Sequence, residues 1–249
     1  MRLEKWYADC VIDGEVRIDY LATLCVGPLR LGYRGQLGPG RSARVRMGRR
    51  GFAMPGVEDG RLGWPLEEGG MRYWDNVQQR PLPLWHAAHA SVVWDPLVLN
   101  APVADSAGRR TGRGYAERLT LDLPPWQLGM DRLKWGRFCG ESHSLVWIEW
   151  EGRTPLKLCL LDGRPDGLIR AARTEVHSTS ARLRITPHQE IARETLGTGA
   201  LKALGPLRHL AAGRFLSGME TKWLARGVLE SGGGAIDQGW VIHEEVVWR

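Results

Sequence analysis

Turn signals recur along this chain at short intervals, and they limit what it can fold into. Asp13-Gly14 separates residues 6–11 from residues 16–26, two runs rich in β-branched and aromatic side chains. An Asp-Gly pair between such runs is typical of a two-residue β-hairpin turn. Further turn signals follow at intervals of roughly 8 to 12 residues, as in sandwiches and barrels. The sequence therefore predicts an all-β fold of antiparallel strands.

One stretch departs from this pattern, because leucines recur there at every third position between residues 197 and 215. This spacing predicts a short helix that is broken at Gly205-Pro206. We expect at most this one helix beside the strands.

The length of 249 residues suits one large β-domain or two domains of about 120 residues each. Residues 100–113 are polar and contain two glycines, so they are the best candidate for a linker. Residues 4–7 and 220–223 resemble each other, and each segment begins a hairpin. Two structurally similar halves would explain this resemblance, and so would chance. We predict an N-terminal β-domain over residues 1–108 and a C-terminal β-domain over residues 109–249.

Charge argues weakly for a nucleic-acid partner. Lys and Arg together number 34 against 28 Asp and Glu, and only five of the basic residues are Lys. The arginines are scattered, without the long basic run of a binding tail. Even the densest piece, residues 41–50, alternates with small and apolar residues as a solvated strand face does, and phosphate binding there is the less favoured alternative. We expect no nucleic-acid partner.

The cysteines and the N-terminus indicate a compartment. No C-x-x-C pair occurs, and the four cysteines lie among apolar residues as buried, reduced thiols do. The first residues carry charge where a signal peptide needs an apolar core, and no window approaches 18 apolar residues. We therefore expect a soluble cytoplasmic protein without membrane insertion. The cysteines are Cys10, Cys25, Cys139 and Cys159.

Motifs for metals and cofactors are weak. His86 and His89 would point to opposite faces of a strand, and no further ligand stands at a recognised spacing. Gly197-Thr198-Gly199 lacks the preceding strand and the Lys of a phosphate-binding loop. We predict neither a metal nor a cofactor.

The stretch from residue 112 to residue 150 is the richest in chemistry, with four of the chain's 12 Trp. Tyr115, Glu117, Leu119 and Leu121 alternate, so they would share one face of a strand. A carboxyl group that is buried among Trp and Leu side chains has a raised pKa and can act as a general acid. The alternative is a structural ion pair with one of three nearby arginines. These are Arg113, Arg118 and Arg137.

Several pieces of the chain match one known superfamily: residues 5–9 through 18–20, Gly114-Tyr115-Ala116-Glu117, Trp135-Gly136-Arg137-Phe138, and residues 220–223 followed by 239–244. Through them the chain resembles the lipocalin-like superfamily of the carotenoid hydratases (hydroxyneurosporene synthases) and the AttH-like proteins. The resemblance implies two calycin-like antiparallel β-domains with an apolar ligand pocket at or near their junction. Some members protonate a polyene double bond and let water add, and relatives steer a ring closure.

The resemblance also implies roles for residues. Tyr115 and Glu117 take the place of the hydratases' Tyr-x-Asp pair, and Trp94 takes that of an upstream aromatic residue. This chain departs from the hydratases in having Glu for Asp, in the Arg118-Leu119 that follows, and in its shorter length. Because one fold hosts many reactions, the fold transfers more safely than the reaction.

Two functions follow as expectations. The first is a cofactor-independent enzyme that hydrates, cyclises or isomerises an apolar unsaturated molecule, with Glu117 and Tyr115 as catalytic residues. The second is a non-catalytic lipocalin-like protein that binds a hydrophobic ligand, with Glu117 neutralised by Arg137. Core packing is the competing interpretation for Trp147. The substrate-binding candidates are Trp94, Trp135, Arg137 and Trp147.

Overall fold

The structure, a computed structural model, describes residues 1–38, 41–48, 52–67, 69–78, 80–198, 213–234 and 236–248. It is 72% strand, which confirms the all-β class. A 3₁₀ turn over Pro125–Leu128 and a short helix α1 over Gly213–Leu216 are the helical elements of the described residues. Most of the helix predicted within residues 197–215 lies outside the described residues. In the described part, no helix has the length and apolar character needed to cross a membrane.

The chain divides into two compact units, and the first covers Met1–Gln127. Its strands form one antiparallel sheet in the order β4-β3-β2-β1-β10-β9-β7-β6-β5, with β8 paired to β9. The strands are β1 (Arg2–Ile12), β2 (Glu15–Val26), β3 (Leu29–Gly38), β4 (Arg41–Gly48), β5 (Gly56–Glu58), β6 (Arg61–Pro65), β7 (Met71–Trp74), β8 (Leu82–Ala87), β9 (Ala90–Asp105) and β10 (Arg110–Leu121).

The second unit covers Leu128–Arg249 and repeats this topology in the order β14-β13-β12-β11-β19-β18-β17-β16-β15. In both units the first strand lies between the second strand and the last one. The strands are β11 (Met130–Gly140), β12 (Ser144–Gly152), β13 (Leu156–Leu161), β14 (Arg164–Pro165), β15 (Leu168–Ala172), β16 (Glu175–Ser178), β17 (Ala181–Thr195), β18 (Met219–Ser231) and β19 (Ile236–Val247).

The boundary between the units differs from the one expected between residues 108 and 109. Residues 100–113 form the end of β9, a turn and the start of β10, rather than a linker. Asp105 closes this turn by accepting the backbone N–H groups of Ala107 and Arg109. The polarity that suggested a linker therefore belongs to a hairpin turn. Because β10 pairs with both β1 and β9, it belongs to the first unit.

The hairpin predicted at Asp13-Gly14 is present between β1 and β2. Both turn residues have positive φ, 50° and 82°, as a type I′ turn requires. The echo between residues 4–7 and 220–223 does not mark equivalent strands, because β1 opens its unit whereas β18 is next to last in the other.

The central strands of the first sheet are buried on both faces. Trp6, Ala8 and Cys10 of β1 join a hydrophobic cluster with Ala116 of β10. Tyr7 and Asp9 alternate with them and are also buried, on the opposite face. This second buried face, which we call the acid face, carries the candidate site.

Candidate functional site

Three of the residues singled out in the sequence meet on the acid face. The hydroxyl of Tyr115 donates a hydrogen bond to Glu117 Oε2 at 2.6 Å, and the indole N–H of Trp94 donates to the same oxygen at 2.6 Å. Glu117 is 7% exposed, Tyr115 0% and Trp94 1%. The structure therefore holds a buried carboxyl group between two fixed donors.

Strand geometry explains this arrangement. Tyr115 and Glu117 are two residues apart on β10, so both point to the same face. Trp94 lies on β9 directly opposite Leu119, which is again two residues further along that face. The register between β9 and β10 shifts on either side of Ala116. Such bulges bend the strand and re-aim side chains, and they are common beside functional sites.

The structure speaks against the ion-pair alternative for Glu117. Arg118 pairs instead with Asp95 at 2.9 Å, and Arg113 donates to Asn100 Oδ1 at 3.0 Å. Across the described residues, no Lys, Arg or His forms an ion pair with Glu117. The partners of its carboxyl group are therefore uncharged.

The two carboxyl oxygens of Glu117 differ. Oε2 accepts both hydrogen bonds, whereas no donor among the described residues reaches Oε1. A proton held by this carboxyl group would therefore lie on Oε1, because Oε2 already accepts two hydrogens. The site thus has a defined direction in which a proton can be given or taken.

The donors are fixed in their roles. Burial raises the pKa of Tyr115 well above its usual value, and the charge of Glu117 and the hydrogen bond to it act in the same direction. Tyr115 therefore keeps its proton near neutral pH. The indole of Trp94 can only donate. Both groups point positive hydrogens at one carboxyl oxygen.

Sequence reasoning missed a second tyrosine and acid on the same face. Tyr7 pairs with Glu117 across β1 and β10, and Asp9 pairs with Tyr115. The Tyr7 hydroxyl donates to Asp9 Oδ2 at 2.9 Å, and the rings of Tyr7 and Tyr115 lie 6.1 Å apart. Tyr20 of β2 packs against Tyr7 at 5.3 Å. The available signal was the repeat of Tyr-Ala-acid, at residues 7–9 and again at 115–117.

The other residues proposed to bind substrate belong to the second unit. Trp147 lies in that unit's hydrophobic cluster and leaves no room for a Cβ at Gly136, as the core-packing interpretation expected. Trp135 and Arg137 point to the opposite face from Trp147. Arg137 is wholly buried, and its Nη1 donates to the carbonyl oxygen of Trp240 at 2.9 Å.

The two histidines considered as metal ligands are separated, since His86 lies on β8 and His89 lies in the turn before β9. Within the described ranges, no three His, Cys, Asp or Glu side chains are grouped so that they could hold a metal ion.

Comparison with known proteins identifies the fold. No family model and no curated protein matches the sequence. Among solved structures, CghA is similar with a TM-score of 0.60 and 11% identity, over 99% of this chain and 88% of CghA. CghA with Sch210972 gives a TM-score of 0.59 at 10% identity, over the same shares of the two chains. Kievitone hydratase from Nectria haematococca gives 0.49 at 10% identity, over 98% of this chain and 88% of that one. The CghA structures show a shared fold.

Proposed function

We propose that this protein is an enzyme that protonates an apolar unsaturated small molecule, with Glu117 as the acid. Hydration, cyclisation or isomerisation then follows from the cation that forms. The observation that carries the proposal is the carboxyl group of Glu117, which is buried, is bonded by two uncharged donors and, in the described part of the chain, has no donor at its second oxygen. Burial of a carboxyl group without a cation costs stability, so this arrangement favours a functional role for Glu117 over a purely structural one.

The first step transfers the proton from Glu117 Oε1 to one carbon of a double bond. The π electron pair forms the new C–H bond, the neighbouring carbon becomes a cation, and Glu117 becomes a carboxylate. Hydrogen bonds strengthen when the acceptor becomes charged. The donors on Oε2, Tyr115 and Trp94, therefore stabilise the transition state more than the ground state.

The cation then needs surroundings that hold positive charge without reacting. Aromatic faces do this through their quadrupoles. The acid face supplies the neighbouring rings of Tyr7 and Tyr115, beside the indole of Trp94. Aromatic side chains therefore flank the carboxyl group on the side of β1 as well as β9.

Three outcomes complete the reaction, and each returns a proton to Glu117. Water can add to the cation and lose a proton, which gives a hydrated product. A second double bond of the same molecule can attack it, closing a ring whose cation then loses a proton. Loss of a proton from a neighbouring carbon gives an isomer. No step requires a cofactor, and access of water selects between hydration and the other outcomes.

Two comparisons support the substrate class. The resemblance to carotenoid hydratases favours a terpenoid-like or polyketide-like chain, and the fold is shared with CghA, which has been solved with Sch210972. We place the reaction in the cytoplasm, because all four cysteines are free thiols. Burial raises the pKa of Cys10 to about 11 and that of Cys159 to about 12, so neither is a reactive thiolate at neutral pH.

The test uses lycopene, squalene and farnesol as probes. Binding is followed by quenching of tryptophan fluorescence, and products are separated by chromatography and weighed by mass spectrometry. We expect a product of unchanged mass or one heavier by one water. Glu117→Gln keeps the shape of the side chain but removes the acid, so binding should persist while turnover falls about 100-fold or more.

The binding-protein alternative makes a different prediction for the same experiment. If the wild-type protein binds a probe without converting it, and Glu117→Gln binds it equally well, the protein is a carrier and the acid has no catalytic role. If Glu117→Gln does not fold, the carboxyl group is a structural tie between β9 and β10.

A further inference from the structure

A second group of polar side chains starts from the opposite face of the first sheet, where the hydrophobic cluster lies. Arg34 of β3 is directly opposite Leu21 of β2, a member of that cluster. Arg34 is 8% exposed, and its Nη2 donates to the carbonyl oxygen of Pro65 at 2.6 Å. Within the described ranges it has no ion pair with any acid. A nearly buried cation is thus left uncompensated.

The acids nearby are already engaged. Asp19 accepts from Arg72 at 2.7 Å and from Gln36 at 2.9 Å. Glu67 pairs with Arg46, which is directly opposite Arg34 on β4. Two like charges directly opposite each other repel. Both of these carboxylates are therefore paired with another arginine, and Arg34 is left without one.

Trp64 supplies an independent observation on the same side of the molecule. It belongs to the hydrophobic cluster, is 0% exposed, and precedes the residue that Arg34 binds. Its indole N–H meets no acceptor among the described residues. A buried donor without an acceptor costs about 1 to 3 kcal/mol. An unpaired cation and an unpaired N–H donor have the same complement, which is an oxyanion.

We propose that Arg34 and the Trp64 N–H, beside the Arg46–Glu67 pair, bind an oxyanion, the carboxylate of an organic acid or a phosphate. This site lies on the opposite face of the sheet from Glu117 and does not depend on the acid-catalysed reaction. The anion would neutralise the charge of Arg34, reduce its repulsion of Arg46, and accept a hydrogen bond from the indole N–H of Trp64.

The test measures binding of three probes to the full-length protein by titration calorimetry: dodecanoate, its uncharged analogue dodecanol, and inorganic phosphate. We expect at least one of the two anions to bind; if dodecanoate binds, it should bind at least about 10-fold more tightly than dodecanol. Arg34→Met should weaken anion binding about 10-fold or more, and Trp64→Phe, which keeps a ring but loses the N–H, should weaken it several-fold.

The matched control is Arg30→Met, which removes the same charge from an exposed position on the same strand. It should leave anion binding unchanged. Unliganded Arg34→Met should be as stable as the wild-type protein or more stable, because it removes an uncompensated buried charge. A structural arginine would behave in the opposite way.

The possible results separate the sources of the anion. Binding of phosphate alone that depends on Arg34 assigns the site to free phosphate, whereas binding of dodecanoate alone assigns it to organic acids. The proposal is overturned if neither anion binds, if dodecanol binds as well as dodecanoate and phosphate does not bind, or if the two arginine variants weaken binding equally. If Arg34→Met does not fold, Trp64→Phe and the comparison of probes with the wild-type protein decide.

Discussion

The two units place a glutamate at corresponding points of the same topology and surround it differently. In each unit the last strand pairs with the first, and a glutamate on the last strand faces away from the hydrophobic cluster. In the first unit this is Glu117, which Tyr115 and Trp94 bond. In the second unit it is Glu244, which is bonded by the Nζ of Lys222.

The difference lies in charge. Lys222 is buried and also bonds Glu220 at 2.6 Å, so one ammonium group ties two carboxylates together. A carboxylate beside an ammonium group is favoured in its ionised form, and it therefore serves poorly as a proton donor. Glu117 has donors without a formal charge. The comparison shows that corresponding strands position a glutamate in each unit, and that the surrounding side chains decide whether its partners are charged or uncharged.

The largest expected effect is on the buried ion pairs that Lys222 forms with Glu220 and Glu244. Lys222→Met would remove the ammonium group that bonds both Glu220 and Glu244, and loss of one partner of a buried ion pair costs about 3 to 5 kcal/mol of the free energy of unfolding. Urea denaturation measures this loss. Lys5→Met is the matched control, because Lys5 has no carboxylate partner among the described salt bridges and should cost less than about 1 kcal/mol. Equal losses in the two variants would contradict the assignment of a tie.

The second prediction compares the same substitution at the two glutamates. Glu117→Gln should lower turnover of a converted probe about 100-fold or more, whereas Glu244→Gln should change turnover less than about 2-fold. Steady-state kinetics on both variants, with circular dichroism to verify folding, measure the contrast. Similar losses of turnover in both variants would mean that the difference in charge does not determine function.

A smaller effect is expected from one donor. Tyr115→Phe removes one of the two hydrogen bonds on Oε2, and a hydrogen bond to a charged group is worth a factor of about 10 to 100. We expect turnover to fall by this factor while the Michaelis constant changes little, because the lost interaction strengthens only in the transition state. A rise in the Michaelis constant alone would instead indicate a role in binding substrate.

The smallest effect concerns the opening hairpin of each unit. In the first unit Asp13-Gly14 makes the turn by itself, whereas in the second Asp237 accepts the backbone N–H groups of the β11–β12 turn, at residues 141–143. Burial raises the pKa of Asp237, but the backbone hydrogen bonds together lower it by more, so the net shift is downward.

A lowered pKa in the folded state means that Asp237 stabilises the protein above the pKa of its unfolded form, near 3.8, and that this stability is lost as the pH falls. Asp237→Asn should therefore cost about 1 kcal/mol at pH 7 and progressively less below about pH 4. Urea denaturation of both proteins between pH 7 and pH 3 measures the difference. A constant difference across this range would exclude the proposed role.

The sequence predicts the class of fold well, because turn chemistry and alternation are local. Asp13-Gly14 makes its hairpin with the positive φ angles that the turn type requires. The family resemblance singled out both Trp94 and Glu117, but the contact between them depends on strand order, which alternation does not reveal. The β9–β10 turn was taken for a linker because a polar turn inside one sheet and a polar segment between two units have the same composition.

The alternating pattern could not reveal which face of a strand packs in the hydrophobic cluster. Ala116 and Glu117 lie on opposite sides of one strand and are both buried, so burial does not distinguish the core from the acid face. Lys5-Trp6 and Lys134-Trp135 begin corresponding strands, yet Trp6 joins the hydrophobic cluster of its unit while Trp135 does not join that of the other. A shift of one residue along a strand moves every side chain to the opposite face, and a short sequence motif does not show whether such a shift has occurred.

The pairing of β1 with β10 has a consequence for the synthesis of the protein. Tyr7 and Glu117 are cross-strand partners although they stand more than a hundred residues apart along the chain. Contacts between such distant positions form slowly, because the entropy of closing the intervening loop opposes them. A ribosome that has translated residues 1–108 has made every strand of the first sheet except β10, and with it neither Tyr115 nor Glu117. The acid face is therefore completed last in its unit, and a fragment ending at residue 108 would expose an unpaired edge of β1 to other nascent chains.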